Sequence, residues 1–343
     1  MARKRATSLE VAKEAGVSRT TVSLVLNNIP GSGIPEVTRK RVRQAADLLN
    51  YHPNVTGRRL VSGRTYTLAL VMHQSSKSAA SDMFLLQVLQ GLDVYLSRHR
   101  YHILFCPVDP ENARDGYAQL VYEGHVDGIV LSGPQLEEPE AVELYKRNLP
   151  IVLTGRLPGY DVPYVDADNY QGAQLATGHL IELGHQRIGL ITNAPLTYIA
   201  SRERYRGYQD ALLAADLIYD PALVREGSFT GDSGFKAMNL LLDRPDPPSA
   251  VFVASDVVAF GAMQAAKERG LRIPEDIALV GFDDVSFAQY MEPALTTVRL
   301  PAYELGWNAG QLAMALIGQK EPGPLNQLLP TELIVRRSSG PRV

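Results

Sequence analysis

The amino-acid sequence predicts an all-α helix-turn-helix domain followed by an α/β core of two Rossmann-like lobes with parallel sheets. Three observations lead to this prediction. Positive charge is concentrated near the N-terminus, two short helical segments flank Gly16, and the later chain alternates apolar runs with helical stretches in a rhythm that restarts once. With 343 residues, of which 45% are hydrophobic, the chain is long enough for two to three domains.

Charge is divided unevenly along the chain. The first 64 residues contain 12 lysines and arginines against 4 aspartates and glutamates, whereas the remainder contains 22 against 33. A basic segment of this kind is typical of a domain that binds a polyanion, with a solvated basic face as the alternative. The single cysteine, Cys106, excludes an internal disulfide and fits a reducing compartment.

The N-terminal helices have identifiable start and stop signals. Thr7 and Glu10 have capping-box spacing, Gly16 can end a helix in a left-handed conformation, and Ser18 can cap the next helix. These signals predict helices over residues 7–15 and 19–27, and apolar spacing predicts a third over residues 35–49. The helices are expected to pack through small and β-branched side chains: Val11, Ala12 and Ala15 against Val22, Val25 and Leu26, with Val42, Ala45, Ala46 and Leu49 from the third helix.

Behind a linker over residues 51–64, the core is predicted from short apolar runs separated by helical stretches, as in βαβ units. The predicted strands are Thr67–Met72, Ile103–Val108, Gly128–Ser132 and Ile151–Thr154, and then Arg187–Thr192, Leu223–Phe229, Ala250–Ala254 and Ile277–Phe282. Two such series imply two α/β lobes. The domain boundaries are therefore residues 1–50, 51–64 and 65–343, and a ligand is expected beyond the carboxyl ends of the strands.

Several sequence blocks resemble the lactose-repressor/galactose-repressor family. In the first domain and linker they are Ser8–Ser18, Thr21–Ser23, Val37–Arg39, Leu49–Tyr51 and Pro53–Asn54. In the core they are Gly178–Leu180, Gly184–His185, Arg204–Tyr208, Gly261–Met263, Gly281–Asp284 and Pro293–Thr297. The blocks cover nearly the whole chain, and the resemblance implies a periplasmic-binding-protein-like core behind a DNA-binding headpiece.

The start of the second helix is expected to enter the major groove of DNA. Arg19 can read guanine and Thr20 can offer a hydroxyl or methyl contact, so these two residues are predicted to set sequence choice. Leu24 stands where many family members carry arginine, which favours contact with a thymine methyl. The resemblance places the remaining DNA contacts on phosphates: Thr7, Ser18, Thr21, Asn27, Thr38 and Tyr51, with Asn54 at the hinge. Ser18 as a plain helix cap and Tyr51 as a core residue are the alternatives.

The hinge, residues 54–60, is too short for a helix that persists in water, which needs roughly 12 to 15 residues. We therefore expect it to fold on DNA and against a second copy of the chain. The resemblance implies that Leu60 wedges into the minor groove at the operator centre, at a cost of a few kcal/mol of unstacking. Leu60 as an ordinary linker residue is the alternative. Gly57, where alanine is common, is expected to make the hinge order less readily.

The effector site is predicted from side chains near strand ends. Carboxylate and guanidinium groups bind polyhydroxylated ligands, and aromatic rings cover their apolar faces. By residue type and family position the candidates are Asp283, Arg204, Phe84, Phe229, Ser255 and Asp256. Plainer roles are the alternatives for three of them: Asp256 as a helix cap, Phe84 as a core residue, and Arg204 as a partner of Glu203 or Asp210.

These features predict a sequence-specific transcription regulator, a repressor, that binds double-stranded operator DNA as a homodimer and is controlled by a small-molecule effector. A sugar is favoured as effector, with a purine or nucleoside as the alternative, and the sequence leaves open whether it releases or promotes DNA binding. The absence of a leucine heptad after Pro330 favours a dimer over a tetramer.

Two other classes of protein are less consistent with the sequence. A solute-binding protein of a transport system shares the two-lobe fold, but the basic headpiece and the polar stretch after Met1–Arg5 favour a cytoplasmic protein without a membrane span. An enzyme is disfavoured because no P-loop, G-x-G-x-x-G, H-E-x-x-H or G-x-S-x-G motif is present. No cofactor and no metal site are expected, since the seven histidines lack metal-ligand spacing.

Overall fold

The computed structural model describes residues 6–27, 31–51, 63–108, 116–318 and 323–340. The chain forms two compact units, Met1–Thr65 and Tyr66–Val343. Asn54, Gly57 and Leu60 of the predicted hinge lie outside the described residues. Within the described ranges, no helix is long and apolar enough to cross a bilayer.

The first unit contains three short helices: α1 Ser8–Ala15, α2 Arg19–Leu26 and α3 Glu36–Leu48. The capping box of α1 is formed, since the Glu10 amide donates to Thr7 Oγ1 at 3.3 Å and the Thr7 amide donates to Glu10 Oε2 at 2.6 Å. Gly16 ends α1 at φ 62°, and Ser18 Oγ accepts the Thr21 amide at 3.0 Å to cap α2. The helices predicted from these local signals are confirmed to within one residue at each end.

The core of this unit is small and made largely of alanine and valine. Its buried side chains are Val11, Ala12, Ala15, Val22, Val25, Val42, Ala45 and Ala46. Leu26 and Leu49 pack against this core but are only partly buried. The small side chains let short helices cross closely, which fits the predicted helix-turn-helix.

The second unit contains two lobes, each built on its own sheet. The strands in chain order are β1 Thr67–Met72, β2 His102–Pro107, β3 Gly128–Ser132, β4 Ile151–Thr154, β5 Tyr164–Ala167, β6 Ile188–Ile191, β7 Val224–Arg225, β8 Ala250–Val253, β9 Ala278–Asp283, β10 Thr296–Arg299, β11 Asn326–Leu329 and β12 Glu332–Ile334. Lobe 1 has the order β11-β5-β4-β3-β1-β2 and lobe 2 has the order β12-β10-β9-β8-β6-β7. Among described residues the pairings are parallel except β10 with β12, so the predicted parallel sheets are confirmed.

Helices cover both sheets. In chain order they are α4 Ser76–Ser81, α5 Met83–Arg98, α6 Gln119–Tyr122, α7 Pro139–Lys146, α8 Asn169–Glu182, α9 Ile199–Ala214, α10 Gly231–Leu242, α11 Asp256–Glu268 and α12 Ala302–Ile317. The chain crosses between the lobes more than once, because α12 follows β10 of lobe 2 but packs on α5 and on β3–β5 of lobe 1. The chain then supplies β11 to lobe 1 and β12 to lobe 2.

The predicted strand Leu223–Phe229 is wrong in its bounds. Only Val224–Arg225 pairs with β6, after a short 3-10 turn at Pro221–Leu223. Beyond it, Gly227 lies so close to the Thr192 carbonyl that a β-carbon would overlap it, and Phe229 has a left-handed φ of 57°. Regular strand pairing therefore ends at Arg225, and Phe229 lies in a loop before α10, where its amide donates to the Asn193 carbonyl at 2.8 Å.

Candidate functional site

The N-terminal unit presents the first turn of α2 to solvent. Arg19 and Thr20 are both exposed there, and within the described residues no ion pair engages the Arg19 guanidinium. Ser18 fixes the start of this helix through its cap bond, and its hydroxyl lies 2.9 Å from Thr21 Oγ1. The geometry leaves the two residues predicted to read bases free to reach a ligand.

Several of the other residues that are predicted to contact DNA also stabilise the N-terminal unit. Thr7 is the cap of α1, the Asn27 amide donates to Ser23 Oγ at 3.2 Å, and Tyr51 packs against the helical core. Thr38 lies in the first turn of α3, and Leu24 is half-buried on α2. Contact of these residues with DNA stays a prediction.

Between the two lobes of the second unit lies a cavity of about 110 Å³. Its walls come from the carboxyl ends of strands in both sheets, as expected for parallel α/β folds. Lobe 1 contributes residues after β1, β3 and β4 and within β5, and lobe 2 contributes residues after β6 and β8 and at the end of β9. The predicted effector residues that line it are Phe84, Arg204, Phe229, Ser255 and Asp283.

A buried charged pair, Arg204 and Asp283, forms part of this wall. Arg204 Nη1 lies 3.6 Å from Asp283 Oδ1, and only 6% of each residue is exposed. The guanidinium donates from Nε to Asn169 Oδ1 at 2.8 Å and from Nη1 to the Ala254 carbonyl at 2.6 Å. Its carbon also lies 4.0 Å above the Phe282 ring centroid. These contacts fix the position of the Arg204 side chain, which extends from α9.

The aromatic residues form apolar parts of the cavity wall. The Phe229 ring packs edge-on against Tyr198, with centroids 5.1 Å apart and planes at 81°. Phe84 lines the lobe 1 side and is half-buried. The Tyr198 hydroxyl donates to the His73 carbonyl across the cleft. The two rings can cover the C–H faces of a ligand while the charged pair meets its polar edge.

Asp256 does not line the cavity, unlike the other predicted effector residues. It is fully buried as the first residue of α11. Its Oδ1 accepts the Thr297 hydroxyl at 2.6 Å and its Oδ2 accepts the Val285 amide at 2.9 Å. Burial, followed by the charge of Asp283, raises its pKa well above the usual range. Asp256 thus ties the end of β9 to β10 behind the cavity.

Several polar residues of the cavity were not predicted from the sequence. They are Gln74, Asp82, Arg156, Asp166, Asn169, Asn193 and Glu203. Gln74, Arg156 and Asn193 follow β1, β4 and β6. Their positions at the carboxyl ends of strands, where a ligand is expected, could have identified them. Asp166 lies on β5, a strand the apolar pattern did not predict because its sequence is short and carries a carboxylate.

Some of these side chains hold unused acceptors. Gln74 Oε1 and Asn193 Oδ1 are buried and have no hydrogen-bond partner among the described residues. Asp82 caps α5 by accepting the Leu85 amide at 3.1 Å and also accepts from Gln74 Nε2 at 3.2 Å. A ligand rich in hydroxyl donors would satisfy such acceptors, which are costly when left unpaired.

Burial alters the titration of the cavity carboxyls. It raises the pKa of Asp283 to about 7, although the Arg204 charge opposes the effect. It likewise raises the pKa of Asp166 to about 6, against the charge of Arg156. Both groups therefore change charge near neutrality, where effector binding can be coupled to a proton.

Comparisons with known proteins agree with the two units. Residues 8–54 match the family described as bacterial regulatory proteins, lacI family, and residues 177–339 match a periplasmic binding protein-like domain. The transcriptional regulator CelR of Thermobifida fusca is 37% identical over 342 residues, which cover 98% of this chain and 100% of CelR. The transcriptional repressor CytR of Escherichia coli K12 is 34% identical over 97% of this chain and 96% of its own length.

Solved structures extend the similarity to three dimensions. A CelR–cellobiose complex has a TM-score of 0.73 at 36% identity and covers 97% of this chain and 100% of its own. The lac repressor dimer bound to operator and an anti-inducer has a TM-score of 0.84 at 28% identity, with 98% and 99% covered. These relatives are regulators and not enzymes. The chain belongs to the lacI family of bacterial regulatory proteins.

Proposed function

We propose that this chain is a dimeric transcriptional repressor that binds operator DNA and responds to a sugar held in the interlobe cavity. The observation that carries the proposal is the cavity itself, where the fixed Arg204–Asp283 pair and unused acceptors on Gln74 and Asn193 converge beside Phe84 and Phe229. The CelR–cellobiose complex supports a sugar. The regulator acts in the cytoplasm, where bacterial DNA lies.

A thermal-shift panel on the full chain tests the effector class. Because a ligand that binds only the folded state stabilises it by mass action, the true effector should raise the melting temperature. The panel begins with cellobiose and includes monosaccharides, nucleosides and purines. We expect a sugar to give the largest shift. A purine or nucleoside as the single stabilising compound would instead favour the alternative effector.

Base recognition is proposed for Arg19 and Thr20. Arg19→Ala should cost about 1 to 3 kcal/mol at one operator base pair and leave binding to unrelated DNA nearly unchanged, because a bidentate guanine contact is lost. Fluorescence anisotropy with single-base operator variants measures this. Arg43→Ala is the control, since Arg43 on α3 is already paired with Glu36 at 3.8 Å. Uniform weakening on every DNA sequence would indicate that Arg19 contacts a phosphate.

A second prediction about DNA binding concerns Leu60 in the hinge. Leu60→Ala should reduce DNA bending and specific affinity without unfolding the core, because an apolar wedge between base steps is lost. Bending is measured by energy transfer between the ends of a labelled operator. Unchanged bending would contradict the wedge.

Effector binding should depend on pH through Asp283. Ligand hydroxyls donate best to the ionised carboxylate, so binding favours the deprotonated form and strengthens as pH rises through the pKa of about 7. We expect affinity to fall about tenfold from about pH 8 to about pH 6. Calorimetric titration across that range measures it. An equally steep profile in Asp283→Asn would assign the dependence to another group.

The proposed dimer needs a surface that pairs with its own copy, and one groove on lobe 2 fits. It has a volume of about 550 Å³ and lies beside α11. Its apolar floor includes Phe260, Met263 and Met291, and the exposed Tyr290 stands at its edge. Its rim carries both signs of charge, with Lys267 and Arg272 against Glu275 and Glu292. A rim that carries both signs of charge can pair with the same rim of a second copy, as the twofold interface of a homodimer requires, although Arg272 is already paired with Asp276 and Glu292 with Arg337.

A further inference from the structure

The two guanidinium groups of the cavity are already occupied by protein groups. Arg204 bonds to Asn169 and to the Ala254 carbonyl and is paired with Asp283. The second cation, Arg156, follows β4 on the lobe 1 side. Its Nη2 donates to Glu203 Oε2 at 2.6 Å, and its Nε lies 4.0 Å from Asp166 Oδ2. Neither cation is left without a carboxylate.

Glu203 is the residue that holds Arg156. Only 16% of its side chain is exposed, and it extends from α9 of lobe 2 to Arg156 of lobe 1. Its Oε1 also lies 3.6 Å from Arg206 Nη1 on the outer side of the same helix. The short bond to Arg156 is charge-assisted, the strong class of hydrogen bond. An incoming anion would have to compete with Glu203 for the guanidinium.

The balance of charge around the cavity disfavours an anion further. Among the described lining residues, four carboxyl groups stand against two guanidinium groups and no lysine: Asp82, Asp166, Glu203 and Asp283 against Arg156 and Arg204. Burial raises the pKa of Asp82, Asp166 and Asp283, which reduces the excess of negative charge near neutral pH but adds no positive charge for an anion. His73 also lines the cavity, but its Nε2 is held 2.9 Å from Glu138 Oε1, a buried carboxylate. A charge brought into a partly buried site without an available counter-charge is repelled and loses its hydration.

We propose that Glu203, supported by Asp166, is a specificity determinant that occupies Arg156 and so restricts the cavity to uncharged, hydroxyl-rich effectors. Uronates and phosphorylated sugars of similar size are excluded. The inference rests on the proposed role of the cavity as the effector site, and it assigns to Glu203 a role in selection that is separate from contact with the effector.

The test uses the full chain and three anionic probes, D-glucuronate, D-galacturonate and glucose 6-phosphate, in calorimetric titrations. The wild type should bind none of them measurably. Glu203→Gln keeps the side-chain shape but removes the charge that competes with an anion for Arg156, so affinity for at least one probe should rise about tenfold or more. Adding Arg156→Gln to that variant should abolish the gain, which places the new binding at Arg156.

Glu143→Gln is the matched control. Glu143 pairs with Arg147 at 2.8 Å on the outer surface of lobe 1, so the substitution also removes the carboxylate that pairs with an arginine, but away from the cavity. It should not increase affinity for any probe. Asp166→Asn, which removes the other carboxylate beside Arg156, is the second cavity variant and should give a smaller gain in the same direction.

Two results would overturn the proposal: tight binding of a probe by the wild type, or no gain in either cavity variant while their melting curves remain cooperative. The titrations contain no DNA. Failure of the chain to bind operator would therefore contradict the proposed function, but it would not change the conclusion about the role of Glu203 in effector selection.

Discussion

Asp283→Asn is expected to weaken effector binding by about 10- to 150-fold. A hydrogen bond to a charged group contributes about 1.5 to 3 kcal/mol, and the amide that replaces the carboxylate would turn a donor or a neutral oxygen toward the ligand. It would also leave Arg204, which lies 3.6 Å away, without its ion-pair partner. Calorimetric titration of the full chain with the compound identified in the thermal-shift panel measures the loss.

Asp284→Asn is the control for that substitution. Its carboxylate lies next to Asp283 in sequence but bonds outside the cavity, to Arg336 Nη2 at 2.6 Å and Arg299 Nε at 2.8 Å. Effector affinity should be unchanged in this variant. Equal affinity in wild type and Asp283→Asn would remove Asp283 from the proposed effector site.

Tyr290→Glu is expected to dissociate the proposed dimer and to lower operator affinity by at least about 100-fold at nanomolar protein. Tyr290 is 76% exposed beside the lobe 2 groove, so a carboxylate there costs the folded chain little but places two like charges across a twofold interface. A monomer holds one half-site only and loses the contacts of the second. Sedimentation velocity measures the dimer, and anisotropy measures operator binding.

Ile218→Glu provides the comparison. Ile218 is 89% exposed, and the groove lining does not include it. The substitution introduces the same charge at another apolar surface position and should leave a dimer. If Tyr290→Glu sediments as wild type does, the groove on lobe 2 is not the interface.

Local signals explain why the N-terminal unit could be predicted from sequence. The Thr7–Glu10 capping box, the left-handed Gly16 and the Ser18 cap each act within four residues, so the helix bounds follow from neighbouring side chains. The strongly apolar strands β1, β3 and β4 were likewise predicted with their correct bounds, since each is buried in the middle of a sheet.

Long-range features could not be read from the same pattern. The strands β11 and β12 are short and half-exposed, and nothing local tells which lobe each joins. Phe229 lines the interlobe cavity, but it does not belong to the strand predicted over Leu223–Phe229. The close approach of Gly227 to Thr192 is a tertiary contact, which the local sequence pattern does not contain. Asp256 is an acidic residue that follows a strand, as the effector candidates were expected to be. Its carboxylate nevertheless bonds to Thr297 and Val285 and does not line the cavity.

Effector-dependent binding to operator DNA is the most direct test of the proposed function. Duplexes selected by the full chain from a random pool are titrated by anisotropy between about 50 and about 200 mM salt, with and without the stabilising sugar. We predict specific binding that weakens steeply with salt and an operator affinity that changes at least about fivefold with the sugar. Failure to select any duplex, or an operator affinity that the sugar leaves unchanged, would contradict the account.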